Sequence, residues 1–270
     1  MDVVLAGDVS DALAAKADAP EAEFLAGGTD LMVEVNLAHH RPEQVIGLRR
    51  VDDLKSSTAT RIGAGVTWAT LERSRYRALA QLSRTVGSPQ IRAAGTIGGN
   101  IGTASPAGDG LPWIAALDAG IEVASQARGG RTVPWSEFFT GVKQTSLASD
   151  EMITAVVLPD EVPERQEFAK IGIRSAMVIS TVSCVVMRGS GGFRIALGSV
   201  APTVIRARRA EEMLNAEANP PDAALDELAS IVAEEVRPIT DHRSTEDYRR
   251  HAAGVLAKRL VQRCMNGGGA

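Results

Sequence analysis

The chain has 270 residues, 44% of them hydrophobic, which is enough for a substantial core and for two domains of ordinary size. Its 29 basic and 33 acidic residues leave a net charge of -4 with no basic block, which argues against a nucleic-acid partner. Apolar runs fall short of the ~18 residues that cross a bilayer, the acid-bearing residues 1–17 do not read as a signal peptide, and the isolated Cys184 and Cys264 offer neither an iron-sulfur nor a zinc site, so a globular cytoplasmic protein is expected.

In chain order, Asp8-Val9-Ser10 opens a capped helix, and a strand then leads into Ala26-Gly27-Gly28-Thr29-Asp30-Leu31. The apolar spacing over residues 31–35 suits a helix or a strand. Residues 61–66 read as a strand, and Thr67 as the N-cap of a helix over 68–74. A second glycine-rich stretch follows, Thr96-Ile97-Gly98-Gly99-Asn100-Ile101. Residues 111–117 read as a helix with Pro112 near its first turn and Gly120 suited to its end. Two β-rich runs come next, 121–124 and 152–158, the second closed by Pro159.

The proline- and acid-bearing stretch 159–167 is taken as the boundary between a domain over 1–163 and one over 164–270. Beyond it, residues 177–187 read as one long buried strand, 189–192 as a hairpin turn and 193–200 as the antiparallel neighbour. Helices over 205–216, Asp222–Glu235 and about 245–265 complete a hairpin-plus-helices α+β unit, and 267–269 reads as a frayed tail.

The two glycine-rich stretches carry the chemistry. Each offers closely spaced backbone N–H groups with little side-chain bulk in front, which suits a pyrophosphate without recourse to a lysine. Thr29, Thr96 and Asn100 add hydroxyl and amide groups at the rims. Neither stretch has the Gly-x-Gly-x-x-Gly spacing of a nicotinamide-type Rossmann turn, and the chain has no Gly-x4-Gly-Lys-Ser/Thr loop. One Gly-Gly pair alone is most simply a tight turn; two with polar rims point to a dinucleotide.

Together with Thr103-Ala104-Ser105-Pro106-Ala107-Gly108-Asp109 and Phe138-Phe139-Thr140-Gly141, these stretches resemble the FAD-binding medium subunit of molybdenum hydroxylases. That family includes the carbon monoxide dehydrogenase flavoprotein and the xanthine dehydrogenase flavin domain. The likeness runs over nearly the whole chain, since residues 194–214 and 241–250 resemble the family's C-terminal domain. It implies an α+β fold: a two-subdomain PCMH-type FAD-binding domain followed by a C-terminal three-stranded sheet with helices.

Position by position, the resemblance implies that Ala26, Gly27, Gly28, Thr29, Asp30 and Leu31 wrap the pyrophosphate of FAD. Thr96, Ile97, Gly98, Gly99 and Asn100 would close on it, with Ile101 and Thr103 beside them. Asp109 matches an aspartate that meets the ribityl or adenosine part, although helix capping explains it equally from sequence alone. Val86 and Ile153 fall at apolar positions near the flavin or adenine, and Ile101 at one that packs on the ring face. Lys170 falls where a basic group approaches the isoalloxazine, its plain alternative being a solvated strand-end charge.

The family's partners are a small [2Fe-2S] iron-sulfur subunit and a large molybdopterin-binding subunit, in a dimer of heterotrimers, with NAD, quinone or oxygen as external acceptor. An electron-transfer flavoprotein subunit without catalytic side chains or metal of its own is therefore expected. A self-sufficient FAD-dependent oxidoreductase is the alternative, and a flavin-free scaffold a third reading. Two departures stand out: residues 170–179 lack the aromatic that covers the flavin in several members, and there is no cysteine-bearing insertion. His39-His40 reads as a solvated loop pair, His242 lacks any nucleophile motif, and Trp68, Trp113 and Trp135 read as core or interface.

Overall fold

The computed structural model describes residues 1–217 and 220–266, so the expected tail over 267–269 lies outside the described residues. The chain opens with β1 (Asp2–Leu5), α1 (Val9–Asp18), β2 (Glu23–Leu25), α2 (Leu31–Asn36) and β3 (Gln44–Gly47). The strands form a parallel sheet in the order β1-β3-β2, joined by helical crossovers as parallel neighbours require. Asp8 caps α1 by accepting from the Asp11 amide at 2.8 Å. The ambiguous run after the first glycine pair is the helix α2.

A second subdomain runs through β4 (Arg61–Gly63), α3 (Trp68–Leu71), α4 (Arg77–Thr85), α5 (Pro89–Ala94), α6 (Ile97–Thr103) and α7 (Gly110–Leu117). It continues with β5 (Gly120–Ser125), β6 (Gly129–Pro134), α8 (Trp135–Phe138), β7 (Phe139–Gly141), β8 (Gln144–Thr145) and β9 (Met152–Val157). Its main sheet is antiparallel, β4-β9-β5-β6. Thr67 caps α3 as expected, but the helix is one turn long. The C-terminus of α7 is set by Asp118 in the left-handed region (φ 55) and not by Gly120, which begins β5. Asp118 tolerates that conformation, and its carboxylate meets the Arg206 guanidinium at 2.8 Å.

The remainder consists of β10 (Arg165–Ile171), β11 (Val182–Gly189), β12 (Gly192–Gly198), β13 (Ile205–Arg206), α9 (Arg208–Asn215), α10 (Asp222–Glu235) and α11 (Glu246–Met265). The expected three-stranded sheet is present, with two-residue β13 as a fourth strand at the edge. Residues 205–206, expected in a helix, form that strand. The long strand expected from residue 177 begins only at Val182. Before it the chain turns back, with Met177 at φ 49, the Val178 side chain over Gly172, and the Thr181 amide donating to Ile171 at 2.8 Å.

The sheet β10-β11-β12-β13 is buried on both faces. Val185, Met187 and Ala196 enter the core shared with the first 160 or so residues, whereas Cys184, Val186, Ile195 and Leu197 face the core under α9, α10 and α11. Helices α4 and α7 cover the first face. The stretch read as a linker is partly strand: Gln166 and Glu167 are buried, Trp113 donates to Gln166 at 3.2 Å, and Gln81 donates to Glu167 at 3.0 Å. Buried amide and carboxylate groups need such partners, and these ones tie the two parts of the chain together.

Candidate functional site: two glycine segments and a buried ion pair

The two glycine segments lie side by side. A Cβ on Gly27 would stand 1.9 Å from the Ala94 carbonyl oxygen, so only glycine lets the first segment lie against the end of α5. Gly28 takes φ +69, Thr29 Oγ1 lies against Gly95, and the Thr103 hydroxyl donates to Asp30 Oδ2 at 3.1 Å. The first segment therefore runs along α6 from near its N-terminus to its C-terminus.

The amides of the two segments are used differently. In the second they already have partners. Ile97 donates to Val66 (3.0 Å), Gly98 to Ala64 (2.8 Å), Gly99 to Thr96 Oγ1 (3.0 Å) and Asn100 to the Thr96 carbonyl (3.1 Å). This corrects the expectation of an open amide loop: Thr96 is the N-cap of a helix, and its side chain serves the fold. In the first segment, the amides of Gly27, Gly28, Thr29 and Asp30 donate to no protein group among the described residues. Unpaired donors next to a surface stripped of side chains form an anion cradle.

What the second segment supplies is room. Gly98 is packed, its Cβ position 2.5 Å from Ala64 Cβ, but Gly99 and Gly102 are exposed. A Cβ on Gly99 would meet only the Thr96 hydroxyl at 3.1 Å, and one on Gly102 only Ile153 Cδ1 at 3.5 Å. Ile153 thus lies directly beneath this face. Ile97 and Ile101 do not reach it: both side chains are fully buried in the main core, which removes Ile101 from the ring-packing role expected of it. The Asn100 side chain accepts from the Gly110 amide at 3.2 Å, fastening α6 to the start of α7. Leu31 is half-buried at the start of α2.

Asp109 and Lys170 meet each other. Lys170 Nζ donates to Asp109 Oδ2 at 2.6 Å, to the Thr85 carbonyl at 3.0 Å and to the Val178 carbonyl at 3.1 Å, so all three ammonium protons have acceptors. Ser180 donates to Asp109 Oδ1 at 2.5 Å. The side chains are 9% and 8% exposed, so Lys170 is no solvated strand-end charge. Burial pushes the Asp109 carboxyl above the ordinary carboxylate range, against the opposing pull of Lys170 and Ser180. Asp109 makes no capping hydrogen bond to α7. Val86, which ends α4, follows the Thr85 carbonyl of this cluster.

Sequence reading missed Ser180 and Lys143. Lys143 is the last residue of the turn between β7 and β8 and reaches Glu34 on α2 at 3.0 Å. No periodicity marks either residue, because both act across the tertiary structure.

Comparison with known proteins bears on this geometry. Residues 1–161 match the family described as the FAD binding domain in molybdopterin dehydrogenase, and residues 168–264 match the CO dehydrogenase flavoprotein C-terminal domain. The chain is 30% identical to a xanthine dehydrogenase FAD-binding subunit of Escherichia coli O157:H7, over 98% of this chain and 96% of the relative. It is 29% identical to the carbon monoxide dehydrogenase medium chain of Hydrogenophaga pseudoflava, over 89% and 88%. A solved structure of carbon monoxide dehydrogenase from the same organism superposes with a TM-score of 0.90 at 29% identity, covering 100% of this chain and 98% of the other.

Proposed function

The chain belongs to the family of FAD-binding subunits of molybdopterin dehydrogenases, and on that footing we propose that it is an electron-transfer subunit, receiving electrons from iron-sulfur clusters on a partner chain and delivering them to an external acceptor. Its cofactor is FAD, and the protein is an oxidoreductase subunit. FAD, when bound, supplies the redox chemistry.

The chain's own part is to bind and orient. The observation that carries this reading is the row of unpaired amides from Gly27 to Asp30, laid along a helix face from which Gly99 and Gly102 remove the side chains. That arrangement suits the diphosphate bridge, with Thr103 and Asp30 tied at one end of the face. The Asp109, Lys170 and Ser180 cluster is adjacent through Asn100, which binds the amide next to Asp109. There the buried acid and ammonium provide a fixed polar wall.

Substrate oxidation falls to a different chain. Asp109, whose carboxyl burial raises, and the two cysteines are sealed from solvent, so none of them is placed to meet a substrate. The partners that fit are a small iron-sulfur subunit and a large molybdopterin-binding subunit, with NAD, a quinone or oxygen as acceptor.

Reconstitution tests the reading. Purified protein titrated with FAD is expected to take up one equivalent and show oxidised-flavin absorbance; protein that stays colourless overturns the assignment. Affinity capture from the host, followed by mass spectrometry and metal analysis, is expected to recover iron-sulfur and molybdenum-bearing chains. Recovery of the flavoprotein alone, active on a small molecule, would favour a self-sufficient oxidoreductase.

A further inference from the structure

The face that suits a diphosphate is flanked by acids. Asp30 closes the first glycine segment, and Glu34 lies one turn further along α2. Two carboxylates beside a site for a doubly negative group work against binding, by a Coulomb term that grows as water is displaced. Asp30 is held there by the Thr103 hydroxyl.

Lys143 is the cation that answers them. Its ammonium donates to Glu34 Oε1 at 3.0 Å, and Asp30 acts on it through space. His39 Nδ1 also faces Glu34, at 3.5 Å, from the segment after α2. The hydrogen bond lowers the Glu34 carboxyl and raises the Lys143 ammonium, so both are charged at neutral pH.

The backbone at Lys143 is a second observation. Lys143 has φ 53, in the left-handed region where an L-residue is strained and glycine is not. Its amide donates at 3.2 Å to the carbonyl of Ala104, which ends α6 and is itself left-handed at φ 46. Glycine would serve the turn better. Strain of this kind persists where the surroundings hold a residue in place, and here it carries the ammonium to the end of the cofactor face.

We propose that Lys143 is a charge-compensating residue of the FAD site: by engaging Glu34 and offsetting Asp30 it lets an acid-flanked cradle accept a diphosphate. The inference rests on the reading of this face as the FAD diphosphate site. Lys143 positions charge and takes no part in electron transfer.

The test is FAD titration of the full-length protein, followed by flavin fluorescence, for wild type, Lys143→Gly, Lys143→Arg, Lys143→Gln and Lys143→Gln with Glu34→Gln. At about 0.01 M salt, Lys143→Gly and Lys143→Gln are expected to raise the dissociation constant about fivefold. The difference should vanish near 1 M, where the screening length has dropped from about 30 Å to about 3 Å. Lys143→Arg is expected to bind like wild type, and the double variant to recover most of the loss.

Lys143→Gly supplies a second readout. Relief of the left-handed strain is expected to raise the apo-protein melting temperature while FAD binding weakens, and a residue that only shaped the turn would not separate the two. Wild-type binding in Lys143→Gly at low salt, or a loss that persists at 1 M, overturns the proposal. Wild-type protein that takes up no FAD at any salt overturns the flavoprotein reading instead.

Discussion

The glycine face and the Lys170–Asp109 cluster lie next to one another and are built on opposite principles. The face is open, and its donors are main-chain amides left without partners; its specificity lies in atoms that are missing. The cluster is sealed, and each ammonium proton of Lys170 is satisfied within the protein. Open amides are inexpensive to keep because water solvates them until a ligand arrives. A buried charge must be met on every side or neutralised. The face is therefore expected to be sensitive in binding and indifferent in stability, and the cluster the reverse.

The strongest way to break that contrast is Lys170→Met. It strands a buried carboxylate, and about 3–5 kcal/mol of unfolding free energy should be lost near neutral pH, read by urea denaturation. The pH dependence carries a sign. Because the folded-state value of Asp109 lies above its ordinary 3.8, the stability this group contributes is complete below 3.8 and is lost as pH rises through the folded value. Removing Lys170 raises the folded value further, so the gap to wild type should widen between about pH 4 and about pH 8. A gap that narrows over that range would mean the pair is not the source. Asp109→Asn in the same background should recover much of the loss.

On the face, Gly99→Val should do the opposite. Its side chain would enter the space in which we propose the diphosphate lies, and FAD affinity is expected to fall at least about a hundredfold, or about 2.7 kcal/mol, in a fluorescence titration. Apo stability should change by no more than about 1 kcal/mol, since valine's better helix propensity works against crowding of the Thr96 hydroxyl. Full FAD occupancy in this variant would remove Gly99 from the site. The equivalent change at Gly98 would be uninformative, because a Cβ there strikes Ala64 and damages the fold directly.

This division also decides what the sequence could disclose. Glycine pairs with polar rims are legible because the property they confer is local, and so were the caps Asp8 and Thr67, the hairpin across Gly189 and Gly192, and the helix Asp222–Glu235. What was not legible was occupancy. The Ile97–Asn100 amides are claimed by Val66, Ala64 and Thr96, the first two from a distant part of the chain. Ile101 resembles a ring-packing residue in sequence, but the helix turns it into the core. The start of β11 was misplaced because the apolar residues 177–179 continue the strand pattern, whereas Lys170 and Gly172 draw Val178 into a loop.

A finer test concerns how the cluster shares its load. Ser180→Ala removes one neutral donor from Asp109 and leaves Lys170 in place, so the loss should be smaller than for the lysine, about 1.5–3 kcal/mol for a bond to a charged group. If Ser180→Ala equals Lys170→Met in urea unfolding, the hydroxyl and not the ammonium controls the acid.

The smallest effect is expected where the two regions share neither burial nor charge pairing, at the tie between Thr103 and Asp30. Thr103→Val keeps the shape of the side chain and deletes the hydroxyl that donates to Asp30. Asp30 is exposed, so water replaces the lost donor, and unfolding free energy should fall by about 0.5–1 kcal/mol. Binding should respond more than stability does. An untethered Asp30 carboxylate is free to swing toward the amides beside it and compete with a diphosphate for them, so FAD affinity is expected to fall about threefold although no donor to the cofactor has been removed. Thr103→Ser, which restores the hydroxyl, should reverse that loss in the same titration. If Thr103→Val binds FAD as wild type does, Asp30 does not compete for the amides, and the two ends of the first glycine segment act independently.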